Sequence, residues 1–441
     1  MPKRIQLKSV NNPLVKLKEK LSDKFPYLFG PIQNKKPINP LIVYGSIAGS
    51  VVLVFALSLP TILDERSLAK LGYSNKAINQ IQSLKLTETL KTSYLYSDTL
   101  NRVFENGLSM NSQYLPLYTV FEVVDDNIIL QYQRLIVKGY SQEDILNIFT
   151  NLKDCEISVL LTFQKLDDIQ TYIDDCLAHP ENSKDSFTLS NTYAKPYDEL
   201  SVKEADSSSV TMLVNKFNYL TDQYTPQGLN ELSVRYGANG VALAQEAASA
   251  LAQMVDKFNT LGYSTGFYVS SGYRDFASQE SIYQSYVGQH GQEEADRLAT
   301  RAGFSEHQTG LALDIASTDY GKEFKDTAEF TWVVANCYDY GFILRYPEGK
   351  EYITQISYEP WHYRYLGVDT ALAIKESGYT YDEYYELYLR PLPDNIGELI
   401  QQNQQDAIAS AKFNAQHRPV TSIDPQTSAV TTIEPTLPSE K

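Results

Sequence analysis

Two histidines in this 441-residue chain lie in sequence contexts that suit metal chemistry. His307 precedes Asp314 by seven residues, and the glycine turn and apolar run between them can aim both side chains at one point. His362 follows Glu359 and Pro360 on a segment that proline keeps extended. Two imidazoles and one carboxylate form the protein ligand set of a catalytic zinc site with one position open for water. The sequence therefore predicts a metal centre on His307, Asp314 and His362.

Two further side chains could do chemistry at such a centre. Glu359 stands three residues before His362 and could take a proton from a bound water. Arg274 offers a guanidinium fork that suits a terminal carboxylate or a developing oxyanion. Each motif alone also has a structural explanation, since a His near an Asp is often a polar pair and Arg274 could pair with Asp275. Their combination favours a catalytic site.

Helices and strands of unequal length must position these residues. The apolar patterns and turn residues predict helices over 241–261, 278–287 and 328–340 and strands over 267–269, 311–316 and 342–345. This order lacks regular βαβ alternation. It therefore predicts an α+β fold with a mixed or antiparallel sheet flanked by helices.

The charge is unevenly distributed along the chain. The formal net charge of −16 argues against a nucleic-acid partner, because phosphate binding needs clustered Lys and Arg. Residues 1–36 nevertheless carry nine Lys or Arg against two acids, and 41–59 form a 19-residue run without charge. Such a run is long enough to span a bilayer, and the basic flank predicts that the N-terminus is cytoplasmic.

The chain is accordingly predicted to have five segments. They are a basic cytoplasmic tail (1–36), a transmembrane signal-anchor helix (37–63), a helical extracellular stalk or accessory region with a linker (64–205), a catalytic domain (206–390) and a polar, largely disordered tail (391–441). A Gly-Tyr-Ser/Thr pattern recurs at 72–74, 139–141 and 378–380. It is more typical of a recurrent helix start than of a binding repeat, because Ser and Thr are good N-caps.

Four ordered blocks between about residues 213 and 385 resemble the VanY-type D-alanyl-D-alanine carboxypeptidases, zinc enzymes that trim bacterial cell-wall peptides. The blocks read S-G-Y-R, S-E-H-Q-T-G-L-A-L-D-I, G-F-I-L-R-Y-P-E-G-K and Y-E-P-W-H-Y-R-Y-L-G. The resemblance implies one zinc ion on His307, Asp314 and His362. It also implies Glu359 as the catalytic base and Arg274 as the anchor of substrate and transition state.

The same resemblance implies that Gln279 and Ser305 contact the C-terminal end of the substrate. The chain departs from the family pattern at Ala302, where a proline is usual, and at 354–356, where a T-G-Y-like stretch is usual. Neither departure replaces a predicted ligand. Both concern the rim of the pocket, and hence the choice of substrate.

The function implied is removal of the C-terminal D-alanine from peptidoglycan stem peptides. The predicted location is the bacterial cell membrane, with a single span and an extracellular catalytic domain. An L,D-carboxypeptidase that acts on tetrapeptide stems would use the same metal chemistry, and the sequence leaves that alternative open. A non-catalytic wall-binding protein on the same fold is a third reading. The complete set of ligands and base disfavours it.

Overall fold

The computed structural model describes residues 63–179, 196–197, 203–207, 209–416, 420–423 and 430–433. The chain divides into the unit Met1–Ser67, whose described residues are helical, and the unit Leu68–Lys441. In the described part of the chain, no helix is long and apolar enough to cross a membrane. The uncharged run 41–59 and the basic tail 1–36 lie outside the described residues, so the transmembrane span stays a prediction.

After a helical stretch at 63–71, seven further α-helices follow one another in the helical region, which we define as residues 68–179. They are α1 (Asn75–Ser83), α2 (Thr87–Ser93), α3 (Asp98–Asn106), α4 (Asp126–Lys138), α5 (Gln142–Asn151), α6 (Asp154–Thr162) and α7 (Ile169–Ala178), with a 3-10 stretch at Ser112–Thr119. Ser74 and Ser141 begin α1 and α5 as N-caps, and each side chain accepts a hydrogen bond from a backbone N–H three residues later. The predicted helix starts at these two sites are confirmed.

A four-stranded antiparallel sheet forms the centre of the α+β region, residues 206–390. Its strands are β5 (Phe267–Ser271), β6 (Ala312–Ser317), β7 (Phe342–Leu344) and β8 (His362–Tyr365). Their order in the sheet is β5-β6-β8-β7. Two-stranded pairs join β1 (Lys203–Glu204) to β2 (Asn218–Tyr219), β3 (Leu229–Glu231) to β4 (Ala242–Ala244) and β9 (Val420–Ile423) to β10 (Val430–Ile433).

Helices flank this sheet, which confirms the predicted α+β class. They are α8 (Gln245–Asn259), α9 (Phe276–His290), α10 (Gln292–Leu298), α11 (Ala328–Asn336), α12 (Glu351–Thr354), α13 (Val368–Ser377) and α14 (Tyr381–Tyr384), followed by a π-helical turn, Tyr385–Leu389. The buried positions of α8 recur at helical spacing: Ala247, Leu251, Met254, Val255 and Phe258. This face packs into one core with Val269 of β5 and Leu313 of β6. Thr380 caps α14 through a capping box, as the third predicted helix start requires.

The helical region and the α+β region share a hydrophobic core. Residues of α4 to α7 cluster with Phe217, Tyr352 and Leu387 of the α+β region. Buried polar contacts cross the same boundary, since Ser158 Oγ donates to Glu383 Oε1 at 2.7 Å. The helical region is therefore packed against the α+β region as part of one body.

The segment after residue 390 differs from the prediction. Residues Ile396–Gln416 form helix α15, so the prediction of disorder over 391–441 is wrong for this part. Ile396, Leu399 and Ile400 recur at helical spacing and pack on the shared core. The Asn403 side chain donates to the Tyr140 carbonyl at 2.8 Å. A short apolar stripe is thus sufficient for this Gln-rich helix to pack against the shared core.

Candidate active site

Two of the predicted metal ligands face each other across neighbouring strands. Asp314 of β6 and His362 of β8 are direct partners in the antiparallel register, so both side chains lie on the same face of the sheet. His362 Nδ1 and Asp314 Oδ1 are 3.0 Å apart. The pairing of two strands far apart in sequence therefore brings together two of the three predicted ligands.

The third predicted ligand, His307, comes from the 3-10 turn Glu306–Thr309 just before β6. Gly310 ends the turn at φ +69°, and a Cβ there would lie only 3.0 Å from a Leu229 methyl and 3.2 Å from the Ala244 nitrogen. Glycine thus allows the sharp return into β6. His307 Nδ1 lies 2.7 Å from the Gly272 carbonyl oxygen, to which it can only donate. This contact fixes the tautomer and leaves Nε2 with its lone pair.

The three side chains offer a pocket that suits a small cation. One ligand atom from each lies within 4.8 Å of the others. His307 Nε2 is 3.3 Å from Asp314 Oδ2, yet it is buried and has no hydrogen-bond partner in the described residues. Two acceptors this close need a cation between them. Zinc–ligand bonds of about 2.0–2.1 Å in a tetrahedron place ligand atoms roughly 3.3 Å apart, so this donor set fits zinc.

The electrostatics of the two histidines differ. Burial, together with the positive charge of Arg274, lowers the pKa of His307 to about 4, so its imidazole is neutral at pH 7. Burial also opposes charge on His362, but hydrogen bonds to Asp314 and Glu306 outweigh it and raise its pKa to about 9. The pocket therefore favours one positive charge beside its carboxylates. A metal cation can supply that charge in place of the proton.

Glu306 lies behind the site and was given no role from the sequence. Its side chain is fully buried, and its Oε2 lies 3.4 Å from His362 Nε2. Two buried arginines hold the carboxylate: Arg345 Nε at 2.8 Å and Arg364 Nη1 at 3.2 Å. Despite the burial, their charges keep the pKa of Glu306 well below its usual range. Glu306 thus orients His362 so that Nδ1 points to Asp314.

The buried charges continue away from the site. Arg345 also binds Asp382 through two contacts, at 2.6 and 3.1 Å, and Asp382 Oδ1 accepts from the Asn215 side chain at 2.7 Å. One signal for this network was present in the sequence, because Arg364 lies two residues after His362 and strand periodicity puts both on one face. Asp382 had no comparable signal.

Glu359, the predicted base, lies beside the ligands. Its Oε2 is 3.6 Å from His362 Nδ1, and its backbone N–H donates to the Tyr346 carbonyl. Burial raises the pKa of Glu359 to about 7, although the charge of His362 counteracts it. A carboxylate with a pKa near neutrality can both accept and return a proton.

The predicted substrate contacts line the same cavity of about 120 Å³. Arg274 Nη2 lies 4.0 Å from Asp314 Oδ2, and Arg274 Nε is buried without a hydrogen-bond partner among the described residues. Gln279 Nε2 donates to the Thr300 carbonyl at 2.7 Å, which leaves Oε1 buried and unpartnered there. Ser305 Oγ accepts from the His307 N–H at 3.3 Å. The structure thus brings together all the site residues that the sequence predicted.

Apolar and aromatic side chains complete the walls of this cavity: Ile282, Tyr286, Leu298, Tyr346, Ile356 and Trp361. Trp361 remains 42% exposed at the edge. Ile356 belongs to the stretch where the chain departs from the resembled family. The polar groups therefore share the lining of this pocket with a smaller set of apolar and aromatic side chains.

The chain is similar to one family model, to curated relatives and to solved structures. The VanY D-alanyl-D-alanine carboxypeptidase family model matches residues 240–368. The protein YodJ of Bacillus subtilis (strain 168) is 36% identical over 227 residues, covering 49% of this chain and 82% of that protein. A D-alanyl-D-alanine carboxypeptidase of Enterococcus faecium is 32% identical over 238 residues, covering 53% and 74%. The solved LdcB LD-carboxypeptidase is 37% identical, covering 42% of this chain and 93% of that chain, with a TM-score of 0.39.

Proposed function

Because the chain belongs to the VanY family of D-alanyl-D-alanine carboxypeptidases, we propose that it removes the C-terminal D-alanine from peptidoglycan stem peptides with one zinc ion. One observation carries the proposal. His307 Nε2, Arg274 Nε and Gln279 Oε1 are buried atoms without hydrogen-bond partners in the described residues, and all three side chains line one cavity. Buried polar groups are rarely unpaired, so this cluster indicates a ligand site.

His307, Asp314 and His362 would hold the zinc ion. When bound, zinc lowers the pKa of a coordinated water and polarises a carbonyl group. The remaining chemistry belongs to side chains of the chain itself. Their positions around the three ligands support a hydrolytic reaction at the end of a peptide.

Glu359 would move the proton. As water attacks the last peptide carbonyl, the Glu359 carboxylate takes one proton from it and then passes that proton to the leaving amine. The peptide C–N bond breaks, and the products are a shortened stem peptide with a new carboxylate and free D-alanine. The pKa of about 7 suits both steps of this transfer.

Arg274 would select the end of a peptide chain. Arg274 lines the cavity and its Nε has no hydrogen-bond partner among the described residues, and a substrate carboxylate is a good acceptor for such a group. A cavity of about 120 Å³ is small and suits a single terminal residue better than a continuing chain. These features support exopeptidase action over cleavage within a peptide.

A mass-spectrometric digest of purified muropeptides by the full chain tests this function. We expect pentapeptide stems to become tetrapeptides, the reaction to stop with a chelator, and added zinc to restore it. Conversion of tetrapeptides to tripeptides would instead assign the enzyme to the L,D class with the same site. Absence of cleavage on either stem by zinc-loaded protein would contradict catalysis and favour the wall-binding alternative.

We also propose that residues 37–63 anchor the chain in the bacterial membrane, with the catalytic domain outside. The uncharged run 41–59 and the basic residues before it support this topology. In cell fractionation, the full chain should stay in the membrane pellet after a high-salt wash, whereas a chain lacking residues 1–63 should be released. Release of the full chain by salt alone would contradict a spanning anchor.

A further inference from the structure

A second cavity, of about 240 Å³, lies where the helical region meets the α+β region. We call it the junction cavity. Four basic side chains line it, Arg134, Lys138, Lys165 and Arg390, together with one acidic side chain, Glu386. Such an excess of positive charge is unexpected in a chain whose net charge is −16.

Arg134 is the buried centre of this charge. It is 7% exposed, and its Nε donates to the Leu387 carbonyl at 2.9 Å. Within the described residues Arg134 forms no ion pair with a carboxylate, and burial lowers its pKa although the nearby charge of Glu386 counteracts part of this effect. A desolvated guanidinium is costly unless an anion compensates it. The cavity beside it gives an anion access.

The one carboxylate that lines the junction cavity among the described residues already pairs with one of the four basic side chains there. Both oxygens of Glu386 accept from Arg390, at 2.6 Å each. Lys138 Nζ donates to the Leu161 carbonyl at 2.5 Å, and Arg134 Nε donates to the Leu387 carbonyl. These two carbonyl oxygens would otherwise repel an anion, but each is hydrogen-bonded to a cation. Lys165 is exposed at the opening. The field inside the cavity is therefore positive.

We propose that the junction cavity binds a phosphate group, either as inorganic phosphate or as a phosphate ester. A guanidinium fork matches the geometry of phosphate oxygens. A phosphate carries about −1.5 to −2 charges at pH 7, against −1 for a carboxylate, and so better neutralises several cations. The volume of about 240 Å³ leaves room for a small group attached to the phosphate.

Isothermal titration of the full zinc-loaded chain with inorganic phosphate, glycerol 3-phosphate and acetate tests this assignment. Both phosphates should bind, with acetate at least about tenfold weaker. Arg134→Gln should weaken phosphate binding at least about tenfold, because the buried charge-assisted contacts are lost. Tighter binding of glycerol 3-phosphate than of inorganic phosphate would identify a phosphate ester as the ligand. Tighter binding of inorganic phosphate would identify the free ion. Acetate that binds as well as phosphate would overturn the proposal.

Three variants separate the junction cavity from other sites. Arg102→Gln changes an exposed arginine of the helical region and should bind like the parent chain. His307→Ala alters the predicted metal site, and phosphate binding should persist in it. Binding lost in His307→Ala but kept in Arg134→Gln would overturn the proposal. If Arg134→Gln does not fold, Lys165→Gln at the opening should weaken phosphate binding about threefold, and an unchanged affinity there would contradict the proposal.

Discussion

Replacing Glu359 with glutamine is expected to lower turnover of stem peptides at least about a hundredfold while the zinc content stays unchanged. Glutamine keeps the size of the side chain and one accepting oxygen but cannot accept a proton. Glu359 lies 3.6 Å from His362 without being one of the three predicted ligands, so the metal should remain bound. Turnover is measured by release of D-alanine, and zinc content by elemental analysis of the purified protein.

Two further variants make this result specific. Glu348→Gln changes an exposed glutamate eleven residues earlier and should leave both activity and zinc unchanged. His307→Ala removes a predicted ligand and should lose zinc and activity together. Parental turnover in Glu359→Gln would show that another group carries the proton. Loss of zinc in that variant would mean that Glu359 acts as a ligand.

Replacing Arg345 with methionine is expected to destabilise the protein by about 3–5 kcal/mol. Arg345 is completely buried between Glu306 and Asp382, so its loss leaves two buried carboxylates without their shared cation. Glu306 orients the metal ligand His362, and zinc affinity should therefore also fall, by about 10–100-fold. Urea unfolding measures the first effect, and competition with a chelator measures the second.

Arg235→Met is the matched control for this prediction. Arg235 also contacts an aspartate, Asp256, at 2.6 Å, but the two side chains are 60% and 46% exposed. Surface ion pairs contribute about 0–1 kcal/mol, so this variant should unfold almost like the parent chain. Equal unfolding midpoints for Arg345→Met and Arg235→Met would show that the buried network contributes no more than a surface pair.

The sequence was sufficient to predict the side chains that the structure brings together in one cavity and the elements beside them. Histidines, acids and an arginine at defined spacings indicated a metal site, and short apolar runs indicated β5, β6 and β7. What joins His307 and Asp314 to His362 is the pairing of β6 with β8. Local sequence patterns do not predict which strands pair. A family resemblance or a structure is needed to establish that β6 pairs with β8.

The supporting charges were not predictable in the same way. Glu306 and Arg345 lie within the quoted motifs, but the sequence alone does not distinguish a buried charged residue from one at the surface. Their burial depends on contacts with Asp382 and Asn215, which are distant in sequence. Helix α15 was not predicted because the composition of this segment is typical of disorder. Its three apolar residues, Ile396, Leu399 and Ile400, pack against a core to which the helical region contributes.

The helical and α+β regions share one hydrophobic core, so we expect them to fold together. This folding unit is larger than residues 240–368, which the family model matches. A fragment beginning at residue 206 would expose apolar side chains such as Phe217, Tyr352 and Leu387, which otherwise pack against α4 to α7. Apolar patches of this kind promote aggregation. Insertions are therefore expected to be tolerated best ahead of residue 63, where they need not interrupt this packing.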